Sequence, residues 1–115
     1  MNGFQIEGLN RTMKEFARIR DRVESDVKAE VASATVAVES GAVSRSAVDT
    51  GAYKSAWSYR MTMGGMVGEV YNPQEYAVHL EFGTMYMPAQ PALIPSYENV
   101  RPQFFNNLER ILKKV

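Results

Sequence analysis

The sequence predicts an α+β fold with a long N-terminal helix, a small antiparallel sheet built on a β-hairpin, a short central helix and a C-terminal helix. Apolar residues recur every three or four positions over residues 10–40 and again over 96–115, which is the spacing of helices buried on one face. Between them, residues 57–71 alternate apolar and polar side chains around a Gly-Gly pair, as hairpins do. A chain of 115 residues is expected to form a single domain.

The composition argues against several kinds of site and partner. The 13 basic and 13 acidic residues balance, which disfavours a nucleic-acid coat and favours self-association. Without cysteine there is no disulfide or thiolate site, and His79 alone cannot make a zinc site. No apolar run reaches the roughly 18 residues of a membrane span, and the N-terminus lacks a secretory pattern. We therefore expect a protein made in a reducing cytoplasm, with no metal, cofactor or membrane partner.

The first helix is expected over residues 10–40, with Asn10 as its N-cap and Gly41 as its end. Residues 3–8 would form at most a short strand before it. A helix of about 30 residues is about 45 Å long, which exceeds the diameter of most globules of this size. Part of its apolar stripe is therefore expected to lie against another subunit. The stripe consists of Met13, Phe16, Ile19, Val23, Val27, Val31, Ala34 and Val38.

The next segment, residues 41–50, is small and polar and is expected to be a loop. Asp49 or Thr50 would cap a short helical turn over 50–56. The same stretch spells the Asp-Thr-Gly-Ala of aspartic proteases, in which one aspartate from each subunit of a dimer would activate water. The long helix, the polar loop before Asp49 and the lack of a second supporting apolar-apolar-Gly segment make the protease the less favoured alternative.

The hairpin is expected over residues 57–71, turning at Gly64-Gly65, a pair that tolerates positive φ at both positions. If Met63 faces Met66 across the turn, the register follows. Arg60 then pairs with Glu69 on one face of the hairpin, and Tyr59 pairs with Val70 on the other.

A short central helix is expected over residues 73–82. Asn72, Pro73 and Glu75 supply a cap, a first-turn proline and a first-turn acid, and Gly83 would end the helix at a positive φ. Tyr76, Ala77 and Leu80 would share one face. A strand is the rival interpretation, because large apolar residues also stand at every second position, namely Tyr76, Val78, Leu80 and Phe82.

The last helix is expected over residues 96–115, opened by Ser96 after a loop held by Pro88, Pro91 and Pro95. Pro102 lies inside it, and because an interior proline costs about 3 kcal/mol, a kink or a fresh start is expected at 101–102.

Glu81 stands at the end of the central helix, where a carboxylate opposes the helix dipole. We therefore expect it to have a specific partner, either Lys54, Arg60 or a basic residue of a neighbouring subunit. His79 would be a surface or interface residue, because no nucleophile can be placed beside it from sequence. The flexible methionines and one tyrosine of the middle segment are candidate contacts for subunits or partners, with ordinary core packing as the equal alternative; they are Met61, Met63, Met66, Met85, Tyr86 and Met87.

Three phrases, in order and at matching spacing, resemble the small head–tail joining (neck, minor tail or tail-completion) proteins of long-tailed bacteriophages and prophages. Residues 48–54 resemble the family's V-D-T-G-x-L-R, residues 76–84 its Y-A-x-x-x-E-F-G-T, and residues 89–95 its A-Q-P-F-L-x-P. Tyr53 stands where the family usually has leucine, and Ala92 stands where it has phenylalanine. The motif positions expected to hold the fold are Asp49, Thr50, Gly51, Tyr76, Ala77, Glu81, Phe82, Gly83, Thr84, Pro91 and Pro95.

The resemblance implies a single head–tail joining domain without enzymatic activity. It implies a homo-oligomeric ring of roughly six or twelve subunits, contacting other neck, connector and tail proteins, with DNA only as cargo through its channel. The location would be the virion neck or tail junction, after assembly in the host cytoplasm. A small dimeric interaction or adaptor module is the other alternative to this ring.

Overall fold

A computed structural model describes residues 3–46 and 51–114, with side chains from residue 11 onward. Its elements follow in the order α1 (Gly3–Arg45), α2 (Gly51–Ser55), β1 (Ser58–Thr62), β2 (Val67–Tyr71), α3 (Ala77–Phe82) and α4 (Leu93–Lys113). The two strands form an antiparallel sheet. This architecture confirms the predicted α+β class and the predicted order of helices and hairpin.

Helix α1 is longer than predicted at both ends. The expected strand over residues 3–8 and the cap at Asn10 are wrong, because both lie within the helix. Gly41 does not end it either. A β-carbon at Gly41 would lie 2.8 Å from the Ser96 hydroxyl oxygen, so this glycine allows α4 to approach α1 closely. Residues 41–45, predicted as loop, are therefore helical, and Ala42 is fully buried in the core.

The hairpin has the predicted register. Arg60 lies opposite Glu69 and Tyr59 opposite Val70, and the Arg60 side chain forms an exposed ion pair with Glu69 at 2.8 Å. Gly64 and Gly65 both have positive φ, at 64° and 96°. The Met66 N–H donates to the Met63 carbonyl at 3.2 Å, which closes the predicted turn.

Gly68 brings β2 into contact with α1. A β-carbon there would overlap the Thr35 side chain, whose hydroxyl already donates to the Val31 carbonyl at 2.7 Å. This close approach fixes where the hairpin rests on the long helix. Neither Gly68 nor Thr35 stands out in the sequence, because the two residues are neighbours only in the folded chain.

We expect Gly68→Ala to lower the free energy of unfolding by about 1–3 kcal/mol, because the new methyl group overpacks the contact with α1. Thr35→Ala in the same chain should recover part of the loss by removing the hydroxyl and methyl that the new group meets. Urea unfolding of the two single variants and the double variant measures the coupling. Strictly additive effects would contradict this contact.

Helix α3 is a helix and not a strand. It begins at Ala77, later than predicted, because Asn72 caps a turn instead: its side-chain oxygen accepts from the Gln74 N–H at 3.0 Å. The predicted shared face is confirmed. Tyr76, just before α3, packs with Ala77 and Leu80 against the buried cluster of Ala42, Tyr53, Trp57 and Ala92.

Helix α4 begins at Leu93, so Ser96 is not its cap. Ser96 is buried inside the first turn and donates to the Ala92 carbonyl at 2.6 Å, while Arg45 donates to its hydroxyl at 2.9 Å. Pro95 lies in the same first turn, where the missing N–H costs nothing. The helix then runs through Pro102 without interruption, so the expected fresh start is wrong.

The molecule is elongated. Its principal dimensions are 79 × 23 × 22 Å, and its radius of gyration is 21.1 Å, against about 13 Å for a compact chain of this length. Helices α1 and α4 run antiparallel, with Gly41 beside Ser96 and Asn107 bonded to Glu30. Because α4 ends near the middle of α1, the N-terminal part of α1 extends beyond the rest of the protein.

Candidate functional site

Glu81 joins α3 to the start of α4. Its carboxylate accepts three backbone N–H groups at 2.9 Å each: Ala92 and Leu93 donate to Oε1, and Ile94 donates to Oε2. These are N–H groups that a helix start leaves without internal partners, and its dipole favours a negative charge. The predicted specific partner therefore exists, but it is the N-terminus of α4; the proposed partners Lys54 and Arg60 are wrong.

Gly83 ends α3 and has the predicted positive φ, at 80° with ψ at 175°. Its N–H donates to the His79 carbonyl at 2.8 Å. A β-carbon would lie 2.8 Å from the Ala89 nitrogen and 3.1 Å from the Met87 carbonyl oxygen. The chain doubles back at this point, and the Gln90 N–H donates to the Leu80 carbonyl at 2.7 Å.

Residues 84–87 form a tight turn that projects from this loop. The Thr84 N–H donates to the Met87 carbonyl at 2.8 Å, and the Tyr86 N–H donates to the Thr84 hydroxyl at 3.1 Å. Met85 and Tyr86 at its tip are 88% and 92% exposed. The turn therefore holds two large apolar side chains in solvent, which is the property expected of a contact surface.

Tyr53, at the usual leucine position of the first motif, is the central side chain of the core. It is 1% exposed, and its ring packs edge-on to Trp57 with centroids 5.7 Å apart. Its hydroxyl has no hydrogen-bond partner within residues 3–46 and 51–114. Burial raises the pKa of this hydroxyl above its usual 10.0, the neighbouring Ser46 hydroxyl opposes the shift, and the negative charge of Glu81 adds to it.

We expect Tyr53→Phe to unfold with a free energy within about 0.5 kcal/mol of wild type at neutral pH, because it removes a buried hydroxyl that lacks a partner. Since folding raises the pKa of this acid, wild-type stability is complete below about pH 10 and falls as pH rises further. The variant should show a smaller alkaline loss. Thermal unfolding between pH 7 and pH 11 measures both effects, and a loss above about 1 kcal/mol at pH 7 would mean that the hydroxyl is bonded.

The other predicted motif residues differ in where they lie: some are exposed, and others lie in the core or at the junction of α3 with α4. Asp49 and Thr50 lie outside the described residues. Gly51 opens α2 and is exposed, and a β-carbon there would meet nothing within 4 Å. Phe82 is exposed on α3, and Pro91 is exposed just before α4. The structure thus brings Tyr76, Ala77 and Leu80 into the core, and it brings Glu81 and Gly83 to the junction of α3 with α4.

The predicted contact residues also differ among themselves. Met63, Met66, Met85 and Tyr86 are exposed, whereas Met61 and Met87 are half-buried. Sequence reasoning missed the Ser46 hydroxyl, which accepts from the Trp57 indole at 2.6 Å and donates to the Ala42 carbonyl at 2.6 Å. No signal in the sequence marks this serine, because its partners are assembled by the end of α1 and the residue before β1.

Two properties of residues 3–46 and 51–114 bear on the kind of site. No group of three or more histidine and acidic side chains there is placed to hold a metal ion. Among the described helices, none combines the length and the apolar character needed to cross a membrane.

Comparison with known proteins decides the family. Residues 8–83 match the sequence model of the HK97-gp10-like family, whose description reads "Bacteriophage HK97-gp10, putative tail-component". The chain belongs to the HK97-gp10-like family. The match covers more than half of the chain and includes the first motif phrase and all of the second except Thr84, so it confirms the resemblance to phage tail and head–tail joining proteins. Comparison with curated proteins and with solved structures found no match.

Membership in the HK97-gp10-like family indicates a phage structural component that acts with other phage structural proteins in the virion. The matched range ends at Gly83, the residue at which α3 stops. It therefore leaves out the third phrase and all of α4, although Glu81 inside the range bonds to the start of that helix.

Proposed function

We propose that this HK97-gp10-like protein is a non-enzymatic assembly subunit that forms a ring at the phage head–tail junction. The ring would complete the neck or tail, dock the tail and leave a channel through which DNA passes. Its location would be the virion junction, after assembly in the host cytoplasm, and its partners would be neck, connector and tail proteins. The family match to a phage tail component is the observation that carries this proposal.

The loop between α3 and α4 supports a role in binding another protein. Glu81 fixes the start of α4, and Gly83 turns the chain, so the 84–87 tip is presented by a braced loop. Because hydrogen bonds already close the turn, its backbone loses less conformational entropy on docking than an open loop would. Aromatic residues and methionine are also enriched at protein interfaces. The tip is therefore our candidate for the contact with the tail-side or head-side protein.

The elongated shape supports assembly of several copies. A heterologous interface between two different patches closes into a ring when the rotation between neighbours divides a full turn. The exposed residues of α1 and the exposed edges of the two-stranded sheet supply such patches. A stack of rings with a central hole would give DNA a path without any contact that reads its sequence.

Complementation of a phage or prophage that lacks this gene tests the proposal. Without the protein, filled heads and tails should accumulate unjoined, and the wild-type chain should restore joined particles. Met85→Ser/Tyr86→Ser should fold normally but fail to restore joining. Asn106→Ser, an exposed polar position on α4, is the matched control and should restore it. Joined, infectious particles without the protein would contradict the proposal.

The two alternatives make different predictions. A small adaptor would stay a stable dimer even with junction proteins present, as light scattering would show. An aspartic protease would cleave peptides, and Asp49→Asn would abolish that cleavage. A wild-type chain with no peptidase activity excludes the protease.

A further inference from the structure

Four basic residues line one face of α1 in its N-terminal half. They follow one another at spacings of three, four and four residues, which places them within about 80° of arc on the helix surface. All four are exposed, and they are Arg11, Lys14, Arg18 and Arg22. We call these four residues the ridge. Along the helix axis the ridge is about 16 Å long.

The other side of the same helical segment faces the rest of the protein. Phe16, Ile19 and Val23 border a groove that Leu112 of α4 and Met66 of the hairpin turn complete. On the helix surface, Phe16 and Val23 lie more than about 130° away from the middle of the ridge. The ridge is therefore directed away from the rest of its own chain, where a large partner can reach all four cations.

The charges of the ridge are largely uncompensated. Lys14 and Arg22 form no ion pair with any described side chain, and Arg18 pairs with Glu15 at 3.2 Å on an exposed surface. Like charges four residues apart on a helix repel each other, and Lys14, Arg18 and Arg22 form two such pairs in succession. The ridge therefore destabilises α1 until an anion neutralises it.

Charge is also segregated between this segment and the rest of the protein. Residues 11–22 hold five of the 13 basic residues but only two of the 13 acidic ones, so the remaining chain carries an excess of three acidic residues. Farther along α1 the two signs pair as on an ordinary solvated face, for example Lys28 with Glu24 at 2.9 Å. A polyanion would be attracted to the ridge and repelled by the remaining surface, which directs its binding to the ridge.

We propose that the ridge binds the phosphate backbone of double-stranded DNA. Each strand of a duplex presents a phosphate about every 3.4 Å along the axis, so the ridge spans about five phosphates. This regular row of like charges matches the row of cations better than the mixed charges of a protein surface do. Basic side chains that meet phosphates position DNA without reading its sequence. The inference deepens the proposed function and rests on its claim that DNA passes through the ring.

Fluorescence anisotropy of a labelled DNA duplex of about 30 base pairs, titrated with the purified chain, tests this contact. The wild-type chain should bind duplexes of different sequence equally, and its log affinity should fall with log salt concentration at a slope of about −3. The ridge variant Lys14→Gln/Arg18→Gln/Arg22→Gln should bind about tenfold or more weakly, with a slope near about −1, because one cation remains. Glutamine is a good helix former, so circular dichroism should show an unchanged helix content.

Arg60→Gln/Arg101→Gln/Lys113→Gln is the matched control, because it removes the same number of charges from exposed positions on β1 and α4. It should keep the wild-type slope. Equal weakening by both variants would indicate attraction by net charge alone and overturn the inference. A wild-type chain that binds poly-glutamate but no duplex at about 50 mM salt would indicate an acidic protein partner and also overturn it.

Failure of the ridge contact and failure of the proposed function are distinguishable. A wild-type chain that leaves the duplex unbound but restores joined particles would overturn the ridge contact and not the role in joining. Normal head–tail joining without the protein would overturn the proposed function itself.

Discussion

Gly83→Val is expected to abolish the soluble, folded protein. With φ at 80° and ψ at 175°, Gly83 occupies backbone conformations that only glycine adopts readily. The added β-carbon would also lie 2.8 Å from the Ala89 nitrogen and 3.1 Å from the Met87 carbonyl oxygen. Both of these atoms belong to the backbone, which cannot move aside as a flexible side chain can. Strain and collision together should cost about 3 kcal/mol or more, which is a large share of the stability of a small domain.

Soluble yield and thermal unfolding measure this effect, with two control substitutions. Gly83→Ala should already be strongly destabilised, because the first carbon of the side chain makes the collision. Gly51→Ala, at the exposed start of α2, should be neutral or slightly stabilising since alanine favours a helix. Wild-type yield and stability for Gly83→Val would contradict the observed turn.

Glu81→Ala is expected to lower the free energy of unfolding by about 2–4 kcal/mol. Hydrogen bonds to a charged group contribute about 1.5–3 kcal/mol each, but water can reach part of a helix start and replace some of them. Glu81 is 8% exposed, so the three N–H groups at the start of α4 would lose an acceptor in a largely buried place. Because these bonds join α3 to α4, the loss should also loosen the loop between them.

Urea unfolding gives the magnitude, and hydrogen exchange at residues 92–94 gives the location. The free energy of unfolding of Glu81→Gln should fall between those of wild type and Glu81→Ala. The amide oxygen remains as an acceptor, but the amide NH₂ group would face a backbone N–H, which is also a donor. Glu75→Ala, an exposed acid before α3, should change stability by less than about 0.5 kcal/mol. Equal effects of the Glu75 and Glu81 substitutions would contradict the capping role.

Local patterns predicted the elements well. The apolar spacing of α1 and α4 and the Gly64-Gly65 turn depend on neighbours in sequence, so helices and hairpin register could be derived directly. The positive φ of Gly83 could be expected because a helix must end before a sharp turn. The boundaries failed where tertiary contact decides them. Gly41 has the sequence signature of a helix end, but its role is to admit Ser96.

The partner of Glu81 could not be identified from sequence for a similar reason. The sequence indicated that a carboxylate at a helix C-terminus needs compensation, and basic side chains are the obvious candidates. In the structure the Glu81 carboxylate accepts from the backbone N–H groups of residues 92–94. Every residue except proline has such a group, so the side-chain pattern of the sequence does not mark these three as partners. Only the folded loop brings the end of α3 to the beginning of α4.

Native mass spectrometry of the purified chain, alone and mixed with the junction and tail proteins of the same phage genome, tests the central claim most directly. We expect one closed stoichiometry, reached by the chain itself or on contact with a partner. A wild-type chain that remains a monomer or a dimer under both conditions would contradict the account of a ring-forming subunit.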